Sequence, residues 1–307
     1  IEDGSGNPVE ATGDEQVELF RSVKAGNGRV EIALTDGGTL SAAQVNDLSV
    51  AGTANCYVVS APGTYVFNAR VRGNGAGEGV GFEPAIEMAD GMTADWLWTD
   101  SEGLVSGVAL DTTSGDIFLT VGEGRGNALV ALMQDGKVVW SWHVWVTDAP
   151  QTMTYGNGTV FMDRNLGAAG TTAGGTDAYG MYYQWGRKDP FYGGEKTETS
   201  ANAFLEAKNG TVVNPAYPAL DWAFSKSATT TDGAAANPMT FYNDKVGTGY
   251  NWLASPNATL WGEAKTLNDP CPPGYRVPGT GAWEDLISGR QYIDGVSVWD
   301  GTNYGMT

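Results

Sequence analysis

Over the first half of the chain, apolar and polar residues alternate in short stretches, at the period of two that a half-buried strand requires. Gln16 to Val23 and Arg29 to Thr35 alternate in this way. Cys56-Tyr57-Val58-Val59 predicts another strand, broken by the turn Ser60-Ala61-Pro62-Gly63 and resumed from Thr64 to about Arg72. Trp96-Leu97-Trp98, Leu104 to Leu110 and Ile117 to Val121 follow. The clearest hairpin comes last, with Asn127 to Met133 and Val138 to Val146 flanking Gln134-Asp135-Gly136-Lys137. Asp-Gly suits a type I′ turn, whose two central residues take positive φ. Strands at this spacing, with turn residues between them, predict a β-sandwich over residues 1–150.

The segment Val138 to Val146 puts Trp140, Trp142, Val144 and Val146 on one strand face and Val139, Ser141, His143 and Trp145 on the other. Both faces carry large groups, so this strand is expected to be central and covered on both sides. Beyond the Asp148-Ala149-Pro150 turn the pattern changes. Met153 to Asp163, around Gly156-Asn157-Gly158, predicts one more hairpin. Tyr179 to Arg187 spaces Tyr179, Tyr182 and Trp185 as a helix would, and Asp189-Pro190 ends it, because the residue before proline is pushed out of the α region. Residues 192–270 are loop-rich. Ala282 to Ser288 places Trp283, Leu286 and Ile287 at helical spacing, with Thr280 as N-cap but no full capping box.

Composition narrows the function classes. The 307 residues carry a net charge of −19, from 17 Lys and Arg against 36 Asp and Glu. Nucleic acid and anionic membranes both need a positive footprint, so neither is expected as a partner. Hydrophobic residues at 41% and aromatics at 11% are too abundant for disorder. No apolar run reaches the roughly 18 residues of a membrane helix, so no membrane-spanning segment is expected. The first residue is Ile1, which reads as a processed chain.

Chemistry-bearing motifs are sparse. The glycine runs Gly73 to Gly79 and Gly122 to Gly126 miss the spacing of a phosphate loop and carry glutamates where phosphate needs donors. One histidine, His143, and two distant cysteines, Cys56 and Cys271, cannot make a zinc site without carboxylates supplying most ligands. The cysteines are either bridged or free and buried. A Ser-His-Asp triad would have to use His143 and lacks its usual strained turn. Asp95, Asp100, Glu102 and Asp111 offer oxygens of the kind calcium takes, but read as a solvated acidic surface, so no cofactor is expected. Trp96 and Trp98, on one strand face by period, are candidates to stack on a sugar ring; their alternative place is the core.

Two sets of segments resemble known families. Asn55 to Gly63 and Trp140 to Asp148 are similar to the sandwich part of Bacteroidetes fimbrillin-like and surface-lipoprotein chains. Met162 to Ala168, Tyr182 to Pro190 (with Trp185 and Arg187) and Asp269 to Pro278 resemble the Fibrobacter succinogenes major paralogous domain, a relative of C-type-lectin-like folds. The last segment is the most specific, joining Cys271, Pro273, Gly274, Arg276 and Pro278 ahead of Trp283. The resemblance implies that these are scaffold residues, with Arg164, Arg187 and Arg276 holding loops through carboxylate or carbonyl contacts. In that family the helix is followed by further strands and a closing Cys, whereas here only Gln291 to Thr307 remain. A chain cut short at Thr307, a reduced domain, or a strand supplied by another subunit would each explain this; the first is favoured.

The expected fold is therefore mainly β. It comprises an N-terminal Ig-like or fimbrillin-like β-sandwich (1–150) and an α+β C-type-lectin-like domain (151–307), incomplete at its end. The expected function is adhesion or assembly by an extracellular protein of the bacterial surface or pilus, associated with the outer membrane and not an enzyme. Its partners would be other pilus or surface subunits, through strand complementation, or host and dietary glycans. A glycan-binding surface lipoprotein for polysaccharide capture is the alternative. A carboxylate-dependent glycan hydrolase is the third reading, since paired acids leave no local signature.

Overall fold

The structure, a computed structural model, describes residues 23–25, 28–35, 39–74, 84–155, 158–172, 175–192, 207–208, 210–283, 290–293 and 296–299. The fold is mainly β. The chain divides into two compact units, Ile1–Asn46 and Asp47–Thr307. The change of pattern at Asp148-Ala149-Pro150 falls inside the second unit.

The first unit is an antiparallel meander of β1 (Val23–Ala25), β2 (Gly28–Thr35) and β3 (Thr39–Asp47). Val23 lies opposite Val30, and Glu31 opposite Ala43. The strand expected over Gln16 to Val23 lies outside the described residues except for Val23 itself.

The second unit begins with β4 (Cys56–Val59), β5 (Gly63–Asn68), β6 (Met92–Thr99), β7 (Val105–Asp111), β8 (Asp116–Val121), β9 (Gly126–Gln134) and β10 (Lys137–Val146). Strand β8 pairs antiparallel with both β5 and β7. A facing sheet runs β13 (Val212–Val213), β6, β9, β10, β4. At the β9–β10 hairpin, Asp135 and Gly136 have φ of 52° and 73°, the positive pair that a type I′ turn needs. Strand β10 is central, antiparallel to β9 and parallel to β4, with Cys56 opposite His143.

Two cores lie on opposite faces of this sheet. Trp142, Val144, Val130 and Leu132 meet Phe67, Ile117 and Leu119 of the facing sheet. On the other face, Leu97, Trp98, Leu129, Ala131 and Met133 meet Phe191, Trp222 and Met239 from beyond residue 150. Strand β9 is buried from Gly126 to Met133, which explains its unbroken apolar sequence. The later residues thus form a third layer, loop-rich as expected. Its regular pieces are small: β11 (Thr152–Thr154) pairs with β12 (Val160–Met162), β14 (Ala223–Ser225) with β15 (Thr240–Tyr242), and β16 (Arg290–Ile293) with β17 (Val296–Trp299). Helix α1 (Thr231–Ala236) is capped by Thr230, whose side chain accepts from Gly233 N–H at 3.0 Å.

One expected element is absent. Tyr179 to Arg187 is extended and turned, not helical, with an isolated bridge between Tyr182 and Phe191. Gly180 and Gly186 sit at φ 73° and 81°, outside the helical region, and Gly186 turns the chain where a Cβ would strike Leu260. Of the segment expected as a helix near Trp283, Thr280–Trp283 forms one 3-10 turn, and residues 284–289 lie outside the described set.

Candidate functional site

An open cleft of ≈ 930 Å³ lies within the second unit. One wall is the β11–β12 hairpin and the Met162 to Leu166 segment; the other is the loop from Pro270 to Pro278, with Trp261 and Tyr183 between them. The two walls carry two of the sequence segments singled out by resemblance.

The loop is held by its own polar groups. Asp269, 1% exposed, accepts from Cys271 N–H through Oδ1 and from Val277 N–H through Oδ2, both at 2.9 Å, so one carboxylate ties the two ends together. Lys265 Nζ donates to Asp269 Oδ1 at 3.0 Å and to the carbonyls of Cys271, Pro272 and Tyr275 at 2.6, 3.3 and 2.7 Å. Inside this cage Tyr275 N–H donates to the Pro272 carbonyl at 3.1 Å, and Gly274 has φ 81°. Proline at the second position and a positive-φ glycine at the third make a type II turn. The turn carries Tyr275 and Arg276 into the cleft wall. Arg276 is exposed and donates to Glu263 Oε2 at 3.1 Å.

The facing wall is equally fixed. Arg164 donates Nε and Nη2 to the two oxygens of Asp163, and Nη1 and Nη2 to those of Asp148, at 2.8–3.1 Å. Hydrogen bonding to Arg164 holds the Asp148 carboxyl down at about 2. Tyr155 and Phe161 meet edge to face with centroids 5.4 Å apart. Arg187, 2% exposed and outside the cleft lining, donates to Gln184 Oε1 and to the carbonyls of Thr240, Asn237 and Pro238.

Two buried polar groups lie in the same unit, and the second reaches the cleft lining through Tyr183. Ser141, Lys188 and Asp189 form a closed triangle: Lys188 Nζ lies 2.6 Å from both Ser141 Oγ and Asp189 Oδ1, and Ser141 Oγ donates to the same oxygen at 2.7 Å. All three are at most 3% exposed. The second group runs Asp100, Asn127, His143, Tyr183. Burial lowers the His143 pKa to about 3, so the ring is neutral at physiological pH. Burial pushes the Tyr183 phenol well above its usual value. These two are neutral groups bonded to each other at 3.3 Å.

The sequence candidates scatter. Trp98 is fully buried against Trp222 and Phe191 is packed on the same indole, so Trp98 offers nothing to a sugar. Trp96 packs on the opposite core, because a β-bulge between Trp96 and Trp98 shifts the register and puts Leu97 and Trp98 together on the other face. The shared platform expected from period-two spacing is therefore not formed. Trp185 is 51% exposed, 5.8 Å from Trp261. Pro278 lines the cleft, and Cys271 lines it while only 5% exposed. The Trp283 side chain lies outside the described residues. Asp95 accepts from Tyr217, and Asp111 from Thr113 and Ser114, so the expected acidic cluster is spread over separate local contacts. Among the described residues no three His, Cys, Asp or Glu side chains are placed to hold a metal.

The cage around Lys265 was not foreseen. Three of its acceptors are backbone carbonyls, which leave no trace in side-chain identity; the only signal was the Lys265 and Asp269 spacing. Comparison with protein-family models and with curated proteins gives no match to this chain.

Proposed function

We propose that this chain is a non-catalytic contact protein of the bacterial cell surface, adhering by taking a glycan chain into the cleft. The observation that carries this reading is the lining. Tyr155, Phe161, Trp261 and Tyr275 supply aromatic surface, and Asn165 and Arg276 supply planar polar groups, around one open groove. Aromatic faces match the C–H faces of sugar rings, and planar amide and guanidinium groups bond neighbouring hydroxyls in pairs. The groove has the size and mixed lining of a ligand site.

Hydrolysis of the bound glycan has less support. Among the described residues the lining holds one carboxylate, Asp163, already engaged by Arg164, whereas glycosidases place two opposed acids across the linkage. Assembly by strand addition also has less support. Cys56, Tyr57 and Val59 of the edge strand β4 are at most 1% exposed. Strand β7 is broken by a bulge between Ser106 and Ala109, a feature that blocks edge pairing.

A glycan array read with the native protein and with Tyr275→Ala and Arg276→Ala tests the reading. Binding that falls at least about tenfold in both cleft variants, and persists in Trp96→Ala, supports it; tenfold corresponds to roughly 1.4 kcal/mol. Binding that survives both cleft changes, or an array with no binding, overturns it. Release of reducing sugar from a bound glycan would restore the hydrolase reading.

A further inference from the structure

We propose that Cys56 and Cys271 form a dithiol–disulfide site that can fasten strand β4 covalently to the cleft loop. The two residues are 215 positions apart in sequence yet their neighbours are tied together. Asn55 Nδ2 donates to the carbonyls of Leu267 and Asp269 at 2.7 and 2.9 Å. Its Oδ1 accepts from Trp140 Nε1 at 3.0 Å, which fixes the amide. A Cβ built on Gly52 would lie 3.9 Å from Pro273 Cβ. Residues 52–56 therefore run beside 267–273, and both cysteines lie along this seam. Both are buried and free. Each thiol is pushed up first by burial, and the Cys271 charge acts on Cys56, as expected for thiols sharing one pocket.

The cleft gives the site an approach from one side. Cys271 is in its lining, whereas Cys56 is completely covered. The oxidant is a small external disulfide of the glutathione class. Cys271 loses its proton, and the thiolate attacks one sulfur of that disulfide, expelling the other as a thiolate. The Cys56 thiol then loses its proton and attacks the Cys271 sulfur of the mixed disulfide, expelling the second thiolate. Two electrons pass to the external disulfide, and the two protons leave on the two small thiols formed. Because both protein thiols are protonated at neutral pH, exchange is slow there and quickens with pH. The product persists in an oxidising compartment. The site does not depend on what occupies the cleft.

The test uses the full chain incubated at alkaline pH with oxidised glutathione or with dithiothreitol, then alkylated in denaturant and mapped by mass spectrometry. A cross-linked peptide pair containing Cys56 and Cys271 is expected, with neither thiol alkylated. The oxidised sample should melt on the order of 5–10 °C higher, a gain abolished by reductant, because the bridge closes a long loop. Cys56→Ser should trap glutathione on Cys271, and Cys271→Ser should leave Cys56 unmodified. Three results overturn the proposal: both thiols alkylated after oxidation, a glutathione adduct on native Cys271 without the bridge, or a bridge between two chains.

Discussion

Asn127 Oδ1 lies 2.8 Å from His143 Nε2, and this contact fixes the tautomer of the only histidine. The Asn127 amide nitrogen is committed elsewhere, donating to Asp100 Oδ2 at 2.7 Å and to the Gly167 carbonyl at 3.0 Å. Its oxygen must therefore accept, and the imidazole must carry its proton on Nε2. Nδ1 is left to accept from the Tyr183 hydroxyl at 3.3 Å. A second proton would place a charge in a fully buried site, which is why the pKa falls from 6.5 to about 3. The folded pKa lies below the unfolded one. The contribution to stability is thus fully present above pH 6.5 and is lost as pH falls towards 3, by up to about 1.4 kcal/mol per unit. Urea unfolding at pH 6.5, 5.5 and 4.5 should show this decline as a growing loss in the native protein relative to His143→Gln, because the Asp100 carboxyl changes in the opposite sense in both proteins. Nitrogen chemical shifts should report a neutral Nε2–H ring at pH 5.

Asp100 titrates in the opposite sense. Burial raises its pKa from 3.8 to about 6, against the opposing effect of the Asn127 hydrogen bond. Oδ1 has no hydrogen-bond partner among the described residues. An acid with a raised folded pKa contributes its stability below the unfolded value, and that contribution is lost as pH rises through 6. Asp100→Asn keeps an oxygen for Asn127 and removes the charge. It should leave stability unchanged near pH 4 and raise it by about 1–2 kcal/mol at pH 7.5. Equal urea midpoints for the two proteins at pH 7.5 would contradict this.

Strand β10 was legible from sequence because its faces alternate from Trp140 to Val146 and an Asp-Gly turn joins it to β9. The bulge between Val138 and Trp140 was not, and it packs Val139 with Trp140 and Trp142 instead of on the Ser141 face. The cover on its second face was legible only as a need. Nothing in Val212-Val213 marks it as the strand that extends the sheet beside Thr99 and Trp98. Parallel pairing of β4 with β10 was equally silent, since parallel partners are joined through distant chain and not through a turn. Tyr179 to Arg187 failed as a helix because spacing among aromatics outweighed two glycines that the backbone uses at positive φ. At the cleft, the turn around Gly274 could be read from its prolines. The opposing hairpin could be read as a hairpin, but not as the other wall of the same groove, because that proximity is a property of the third layer.

The bulge between Trp96 and Trp98 makes neighbouring tryptophans energetically different. Trp98 fills the core against Trp222 at 5.5 Å, with Phe191 behind it. Trp98→Ala should lose about 3–5 kcal/mol, the usual range for a large aromatic removed from a packed site. Trp185, half-exposed beside Trp261, should lose no more than about 1 kcal/mol on the same change. Chemical denaturation of both variants checks the ordering. Equal losses would mean that the two side chains do not differ in burial as described.

Asp269 is almost wholly buried and answers three donors: the Lys265 ammonium and the Cys271 and Val277 amides. Removing the carboxylate leaves a lysine, 13% exposed, facing only carbonyls, together with two amide N–H groups stripped of their acceptor. Asp269→Ala should therefore lose about 3–5 kcal/mol, the range for breaking a buried pair from one side. Lys265→Met removes the charge with its stem retained. It should lose less than Asp269→Ala, because Asp269 keeps both amide donors. Hydrogen exchange separates a local from a global effect: in Lys265→Met, protection of the Cys271 and Val277 amides should persist, whereas in Asp269→Ala it should vanish. Unchanged protection at both amides in Asp269→Ala would mean that the carboxylate does not tie the loop ends.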